Sequence, residues 1–177
     1  MSDLIVKNLS FGQEAQDKVF EGINKLTKAV SSTLGASGKC VLLEDGSGNP
    51  LITKDGVTVA DTIVLLDPVE NMGATLLKEA ARKTVREAGD GTTTATVLAY
   101  AMVKEGLKNV AAGANPISIK LGMEKAGQYL VTQINEFAQP VEDIQSIQHV
   151  ASISSGNDVV IGSLIAFLVY TSDDVDD

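Results

Sequence analysis

Apolar side chains recur every three or four residues along most of this sequence, and that spacing restricts the chain to a mainly α fold. The pattern is plainest over residues 11–34 and again over 115–137. Further helices are predicted from 67 to about 89, from 90 to about 113 and, in a shorter form, around 144–150, after a break at Pro140. A hydrophobic content of 44% is enough for one buried core, with or without an appendage.

Two short β-prone stretches, residues 39–43 and 50–53, interrupt the helical pattern. The turn formers between them, DGSGN at 45–49, predict a β-hairpin. Residues 1–138 are predicted to form one domain, and 139–177 the start of a second that ends in the acidic stretch DDVDD. The apolar run at 159–170 is shorter than the roughly 20 residues that a membrane-spanning helix needs, so it is interpreted as buried or interfacial.

The charge balance makes some classes of partner improbable. There are 14 basic and 23 acidic residues, and the net charge of −9 repels nucleic acid and anionic membranes. The first residues lack the basic and apolar pattern of a secretory signal, and a single cysteine suits a reducing compartment, so a cytoplasmic location is predicted. Cys40 is interpreted as a small buried side chain and His149 as structural, since no local signature supports a Cys–His nucleophile.

Residues 90–96, DGTTTAT, form an unusual helix start, because consecutive β-branched residues lower helix propensity. Free amides at a helix start, with hydroxyls around them, suit a phosphate group, and Asp90 is suited to magnesium held jointly with phosphate oxygens. An ordinary threonine cap is the other interpretation, and these residues alone leave both open. A P-loop is excluded, because residues 35–40, GASGKC, have the wrong spacing.

Several stretches, taken in order, resemble the group I (GroEL-like) chaperonins. They are TLG at 33–35, ITKDGV at 52–57, ENMGA at 70–74, AGDGTTTAT at 88–96 and VAAGANP at 110–116. The likeness runs from about residue 6 to about residue 166. It implies a chaperonin equatorial-domain-like helical bundle with a small β-hairpin, followed by the start of an intermediate domain.

The resemblance also implies a site for ATP and Mg²⁺, with K⁺ as a further candidate ion. Asp55 is implied as the catalytic residue and Asp90 as the magnesium ligand. The implied nucleotide-binding residues are Thr33, Leu34, Gly35, Lys54, Asp55, Gly91, Thr92, Thr93, Thr94 and Ile153. Taken singly, Gly35 is also a helix stop, residues 54–56 a turn and Ile153 a core residue, and only their joint order favours a site.

The sequence departs from the family in two ways. Ala36 stands where the family usually has proline, a change expected to have a mild effect. Family chains also continue into an apical domain and a second half of the equatorial domain, which supplies an aspartate that positions the attacking water. We therefore expect this chain to bind ATP but to hydrolyse it poorly. Residues 167–172 do not resemble the amphipathic helix that the family has there.

Two functional hypotheses follow from the resemblance. The first is an ATP- and Mg²⁺-binding, oligomerising module of a protein-folding chaperonin, with unfolded proteins as clients. The alternative is a non-hydrolysing assembly protein on the same scaffold. The predicted partners of the chain are copies of itself or a full-length chaperonin. The hairpin has an unpaired edge that the family pairs with a neighbouring subunit, and a strand near residues 5–9 would share its sheet. Exposed apolar faces would be covered by the partners, with residues 167–170 helping to cover them. The sequence being a portion of a longer polypeptide is a third possibility.

Overall fold

The computed structural model describes residues 9–35, 37–141 and 143–173. Within them the chain forms a mainly helical structure with one small sheet, and it divides into two compact units, Met1–Ile119 and Lys120–Asp177. The elements, in chain order, are α1 Gly12–Ser31, β1 Val41–Glu44, β2 Pro50–Thr53, α2 Gly56–Thr62, α3 Pro68–Ala88, α4 Thr92–Ala111, α5 Pro116–Phe137, α6 Ile144–Ser154 and α7 Val159–Asp173.

The core of the first unit lies where α1, α3 and α4 pack together, with α2 against them. Ile23, Leu26 and Val30, which the three-and-four spacing placed on one stripe, are buried here, which confirms the predicted helix, although Leu34 at the predicted end is exposed and lies beyond α1. The buried apolar residues are Ile23, Leu26, Val30, Val59, Ala60, Ala74 and Leu77. At about 25 cal/mol per Å² of apolar surface, these side chains are the main source of stability in this unit.

Helices α1 and α3 approach each other closely at two glycines. A methyl group at position 22 would overlap the carbonyl oxygen of Glu70 and lie 2.6 Å from its carbonyl carbon. A methyl group at position 73 would overlap the carbonyl oxygen of Val19. Each helix therefore places a glycine against the backbone of the other, and only a residue without a side chain fits at either position.

Asp67, where the sequence predicts this helix to begin, caps α3 by accepting hydrogen bonds from the amides of Val69 and Glu70. Donation from those two amides, and then from Lys18, lowers the pKa of Asp67. A glutamate at the position of Glu70 often reaches back to the cap, but here its carboxylate instead accepts a 2.5 Å hydrogen bond from Lys25 on α1. Glu70 therefore joins α1 to α3 and does not contribute to the cap of α3.

The predicted hairpin is confirmed, with Val41 opposite Thr53 and Glu44 opposite Pro50 in an antiparallel pair. Asp45 holds the turn, because one of its carboxylate oxygens accepts from the amides of both Ser47 and Asn49 at 2.8 Å. The strand predicted near residues 5–9 lies, apart from Leu9, outside the described residues. Ala36 and the acidic residues 174–177 also lie outside them.

Helix α2 was not predicted, since residues 54–56 were interpreted as a turn. Its seven residues are held at the far end by Lys78 of α3, whose ammonium group donates to the carbonyl oxygens of Ile63 at 2.5 Å and Asp61 at 3.4 Å. Burial lowers the pKa of Lys78. The last carbonyls of a helix lack intrahelical donors, and here a buried ammonium group supplies one.

In the second unit, α6 and α7 pack together through small residues, with Ala151 and Ala166 buried. Gln148 of α6 donates to the hydroxyl of Ser163 on α7 at 2.7 Å. The apolar run at 159–170 was interpreted as buried or interfacial, yet most of its side chains are exposed in this chain. No residue of α5 is buried.

The division between the compact units falls within α5, whereas the predicted domain boundary at 138/139 falls just after that helix. The assignment of the two parts to an equatorial and an intermediate domain stays a prediction. None of the helices in residues 9–35, 37–141 and 143–173 combines the length and apolar character needed to cross a membrane.

Candidate functional site

The first turn of α4 presents unpaired backbone amides. Gly91, the residue before it, has a left-handed backbone with φ of 92°, and no described side chain caps the helix. The first intrahelical bond is the one from the Ala95 amide to the Gly91 carbonyl oxygen, at 2.8 Å. The amides of Thr92, Thr93 and Thr94 precede it, so they have no acceptor within the helix, and the helix dipole adds positive potential there. The turn is suited to bind an anion.

A cavity of about 340 Å³ opens in front of this turn, at the lower end of the range for small-molecule sites. It brings together every predicted site residue of the first unit, from three separate parts of the chain. Of the residues predicted from the sequence, the following line it: Thr33, Leu34, Gly35, Lys54, Asp55, Asp90, Gly91, Thr92, Thr93 and Thr94. Ile153 belongs to the second unit, where it is exposed, and its contact with a base stays a prediction.

Four further lining residues were not predicted as part of the site: Gly56, Val57, Val85 and Gly89. The sequence could have indicated Gly56, because it belongs to the ITKDGV motif. It was interpreted only as a turn residue. A methyl group there would overlap the Thr93 hydroxyl, so its absence lets α2 approach α4 closely. Val57 belongs to the same unrecognised helix, and Val85 carried no signal, because an apolar residue in a helix is ordinary.

Asp55 serves as the N-cap of α2. Its carboxylate accepts from the amides of Val57 and Thr58 and, at 2.6 Å, from the hydroxyl of Thr58. Burial alone raises the pKa of Asp55, but these hydrogen bonds outweigh it and leave the pKa below its usual value. Asp55 was predicted to be catalytic and to flank the phosphates. That role stays a prediction, but the structure gives the carboxylate a second, structural role that the sequence had not indicated.

The hydroxyls of the threonine run have different environments. The Thr93 hydroxyl lies 3.4 Å from that of Thr33, so the end of α1 and the start of α4 meet at the cavity. Thr94 is exposed, whereas Thr92 is largely buried. Thr96 is buried, and its hydroxyl donates to the Thr92 carbonyl oxygen at 2.8 Å. Some of the threonines therefore face the cavity and others pack into the protein.

The charged residues of the cavity wall are Lys54, Asp55 and Asp90. One oxygen of Asp90 accepts a 2.6 Å hydrogen bond from the Gly91 amide, which fixes the carboxylate at the mouth. No group of three or more His, Cys, Asp or Glu side chains suited to a metal occurs in the described part of the chain. A single carboxylate beside an anion cradle fits Mg²⁺, which binds through one or two carboxylates together with phosphate oxygens. Bound there, the ion would neutralise phosphate charge.

Cys40 does not take the buried position expected of it. The thiol is free and exposed. Cys40 comes just before β1, whose partner in the two-stranded sheet is β2. His149 is exposed on α6.

A mainly helical chain with one small antiparallel hairpin is consistent with the equatorial-domain fold of chaperonins. The chain belongs to the TCP-1/cpn60 chaperonin family, whose profile matches residues 26–170. The resemblance noted in the sequence is thereby confirmed.

Individual relatives agree with this assignment. Over 162 residues the chain is 64% identical to the chloroplastic chaperonin GroEL of Trieres chinensis, a match that covers 92% of this chain and 31% of the relative. A group III chaperonin crystallised in the open state matches at a TM-score of 0.76 and 29% identity, over 93% of this chain and 33% of that one.

A second solved structure, the chaperonin gp146 from the bacteriophage EL 2 (Pseudomonas aeruginosa) in the presence of ATP-BeFx, matches at a TM-score of 0.72 and 29% identity. That match covers 89% of this chain and 28% of the other. The chain thus spans about a third of the length of the relatives it matches.

Proposed function

We propose that this chain is an ATP- and Mg²⁺-binding, oligomerising module of a GroEL-like protein-folding chaperonin. The observation that supports this most directly is the cavity in which the unpaired amides of α4 meet Lys54 and Asp90. The gp146 structure, solved with ATP-BeFx, adds support from a relative. Asp90 would hold the metal, and Gly91, Thr92, Thr93 and Thr94 would cradle phosphate, with K⁺ as a further candidate ion.

The charges of the cavity lead us to expect that nucleotide binding needs the metal. Two carboxylates and one ammonium group line it, so a free triphosphate would meet a net negative charge. A divalent cation between Asp90 and the phosphates converts that repulsion into attraction.

Calorimetric titration with ATP, together with thermal unfolding at increasing ATP concentration, tests the proposal. With Mg²⁺ present, ATP at about 100 times its Kd should stabilise the chain by about 2.7 kcal/mol and raise Tm by several degrees. With EDTA in place of Mg²⁺ the shift should largely disappear. Asp90→Ala should remove the metal-dependent part, whereas Asp17→Ala, an exposed carboxylate on α1 outside this cavity, should not. An equal response of wild type and Asp90→Ala, or no response at millimolar ATP, would refute the assignment.

We further propose that the chain binds ATP more effectively than it hydrolyses it. Asp55, the candidate catalytic residue, accepts three hydrogen bonds and has a lowered pKa, which makes its carboxylate a weak base. Steady-state phosphate release should therefore be slow even at ATP concentrations that saturate binding in the calorimetric titration.

The alternative function, a non-hydrolysing assembly protein, is favoured by a different observation. Apolar side chains of α5, among them Leu130, Ile134 and Phe137, are exposed, and large apolar surfaces mark interfaces. Copies of this chain or a full-length chaperonin are the proposed partners, and unfolded proteins the proposed clients. Solution mass separates the two functions, because an assembly unchanged by Asp90→Ala and by ATP supports this second one.

The predicted cytoplasmic location also remains a proposal. It rests on the single cysteine, whereas the relative from Trieres chinensis is a chloroplastic protein. Fractionation of the source cells with an antibody against this chain would decide between the two compartments.

A further inference from the structure

The sequence contains three aspartate–glycine pairs, which are Asp45-Gly46, Asp55-Gly56 and Asp90-Gly91. An aspartate that precedes glycine can convert to isoaspartate through a five-membered ring, because the glycine amide nitrogen is not shielded by a side chain. The residue that follows the aspartate is the same in all three pairs. Differences in their rates of conversion must therefore come from how the fold holds each carboxyl group.

Two of the three carboxylates are held away from this reaction. Asp45 accepts from two amides and one side-chain amide of its own turn, at 2.8–3.2 Å. Asp55 accepts from two amides of α2 and from the hydroxyl of Thr58. At each position three hydrogen bonds must break before the carboxyl carbon can turn towards the glycine amide. Gly56 is also buried, as the first residue of α2.

Asp90 is held in a different way. Among the described residues one donor reaches its carboxylate, and that donor is the Gly91 amide, at 2.6 Å. The nitrogen that must attack therefore already lies beside the carboxyl group. Asp90 is exposed between α3 and α4, and its neighbours Gly89 and Gly91 are both left-handed, with φ of 75° and 92°. Glycine on each side allows the main chain to adopt the geometry of the ring.

We propose that Asp90-Gly91 is a site of spontaneous isomerisation, at which Asp90 converts to isoaspartate faster than Asp45 or Asp55. The Gly91 amide nitrogen attacks the side-chain carboxyl carbon and forms a carbon–nitrogen bond. One carboxyl oxygen leaves as water, with the amide proton and a proton from solvent, and a cyclic imide results. Water then adds to the main-chain carbonyl carbon of Asp90, breaks its bond to nitrogen and returns a proton. The chain now continues through the former side chain, and its mass is unchanged.

Isomerisation would damage the proposed magnesium site, and this consequence rests on the proposed function. The main chain between Gly89 and Gly91 gains one carbon–carbon bond, about 1.5 Å. The remaining carboxylate is attached directly to the α-carbon, one bond nearer the main chain than the carboxylate of Asp90. Because Mg²⁺ demands near-ideal octahedral geometry, the displaced carboxylate should weaken MgATP binding. Bound Mg²⁺ would in turn hold the Asp90 carboxylate and protect it from the reaction.

Peptide mapping of the full chain after incubation for days at physiological temperature tests the proposal. Trypsin places the three pairs in separate peptides, residues 40–54, 55–78 and 87–104. Electron-transfer dissociation yields fragments specific to isoaspartate, so each pair is measured separately. Isoaspartate at position 90 should accumulate at least about fivefold faster than at position 45 or 55, because the other two carboxyl groups must first lose three hydrogen bonds.

Unfolding provides the matched control. In urea that unfolds the chain the three rates should converge, since the restraints on Asp45 and Asp55 are lost and each aspartate still precedes glycine. Asp90→Glu keeps a carboxylate but would need a less favourable six-membered ring, so it should abolish isomerisation at position 90. Saturating MgATP should slow isomerisation at position 90 and leave position 45 unchanged, whereas ATP with EDTA should protect neither.

Two results would overturn the proposal. The first is a rate at Asp45 or Asp55 in the folded chain that equals the rate at Asp90. The second is an advantage of Asp90 that persists unchanged in urea, since the fold would then not be its cause. The metal has its own outcome. Fast isomerisation at Asp90 that MgATP does not slow would support this proposal and count against Asp90 as the magnesium ligand.

Discussion

Gly22→Ala should destabilise the first compact unit by about 3 kcal/mol, at the upper end of the usual cost of overpacking. The added methyl group overlaps the carbonyl oxygen of Glu70 and lies within 3 Å of two more of its backbone atoms. Because the obstacle is backbone, no side-chain rotation relieves it, and α1 and α3 must separate. Urea denaturation followed by circular dichroism measures the loss as a lower transition midpoint.

The same change in an uncrowded helix provides the control. Gly122 in α5 has no atom within 4 Å of the place where a methyl group would stand. Gly122→Ala should therefore leave stability unchanged or raise it by up to about 1 kcal/mol, because alanine is the better helix former. If Gly22→Ala costs no more than 0.5 kcal/mol or so, the close approach of α1 and α3 described here is wrong.

Gly56→Ala should cost about 2 kcal/mol and weaken MgATP binding, because the new methyl group overlaps the Thr93 hydroxyl. The other nearest atoms, the Thr93 β-carbon at 3.5 Å and a Val30 methyl carbon at 3.6 Å, are at ordinary contact distances. The cost should therefore arise almost entirely from one oxygen atom.

A double-mutant cycle isolates that oxygen. In a Thr93→Ala background, Gly56→Ala should cost little, so the two changes should show a coupling of about 1.5 kcal/mol in thermal or urea unfolding. Thr93→Ser, which keeps the hydroxyl, should restore much of the penalty. Equal costs of Gly56→Ala in all three backgrounds would show that α2 and α4 do not meet at this oxygen.

The long helices and the hairpin were predictable because their signals are local. A stripe of apolar residues, a cap such as Asp67 before Pro68, and a stop such as Gly89 are all visible within one stretch of sequence. The hairpin needed only turn formers between two β-prone stretches. Helix packing was less predictable, because the role of Gly22 depends on the backbone of a residue 48 positions away.

Helix α2 was missed for a physical reason. Its seven residues, GVTVADT, are short of apolar periodicity and rich in β-branched side chains, so the segment itself does not favour a helix. What stabilises it comes from Asp55 before it and from Lys78 in α3. The expected burial of Cys40 was wrong for a related reason: composition indicates that a side chain prefers to be covered but not that this chain covers it. Residues 159–170 are likewise not buried within this chain, and the interfacial interpretation of them stays a prediction.

The candidate site was predictable in parts. Three consecutive threonines after Asp90-Gly91 indicated a phosphate site without deciding the matter, and the order of several motifs supplied the rest through resemblance. The cavity then brought those residues together. Val85 could not have been assigned from sequence, because nothing in an ordinary apolar helix position indicates that it will line a cavity formed with distant parts of the chain.

Helix α2 is a two-turn segment, far below the roughly 12 to 15 residues at which isolated helices begin to persist in water. In an unfolded chain this side of the cavity is therefore scarcely formed. The wall that α2 supplies and the packing of α3 consequently form and melt together, and a partly melted form that has released α3 should lose this wall.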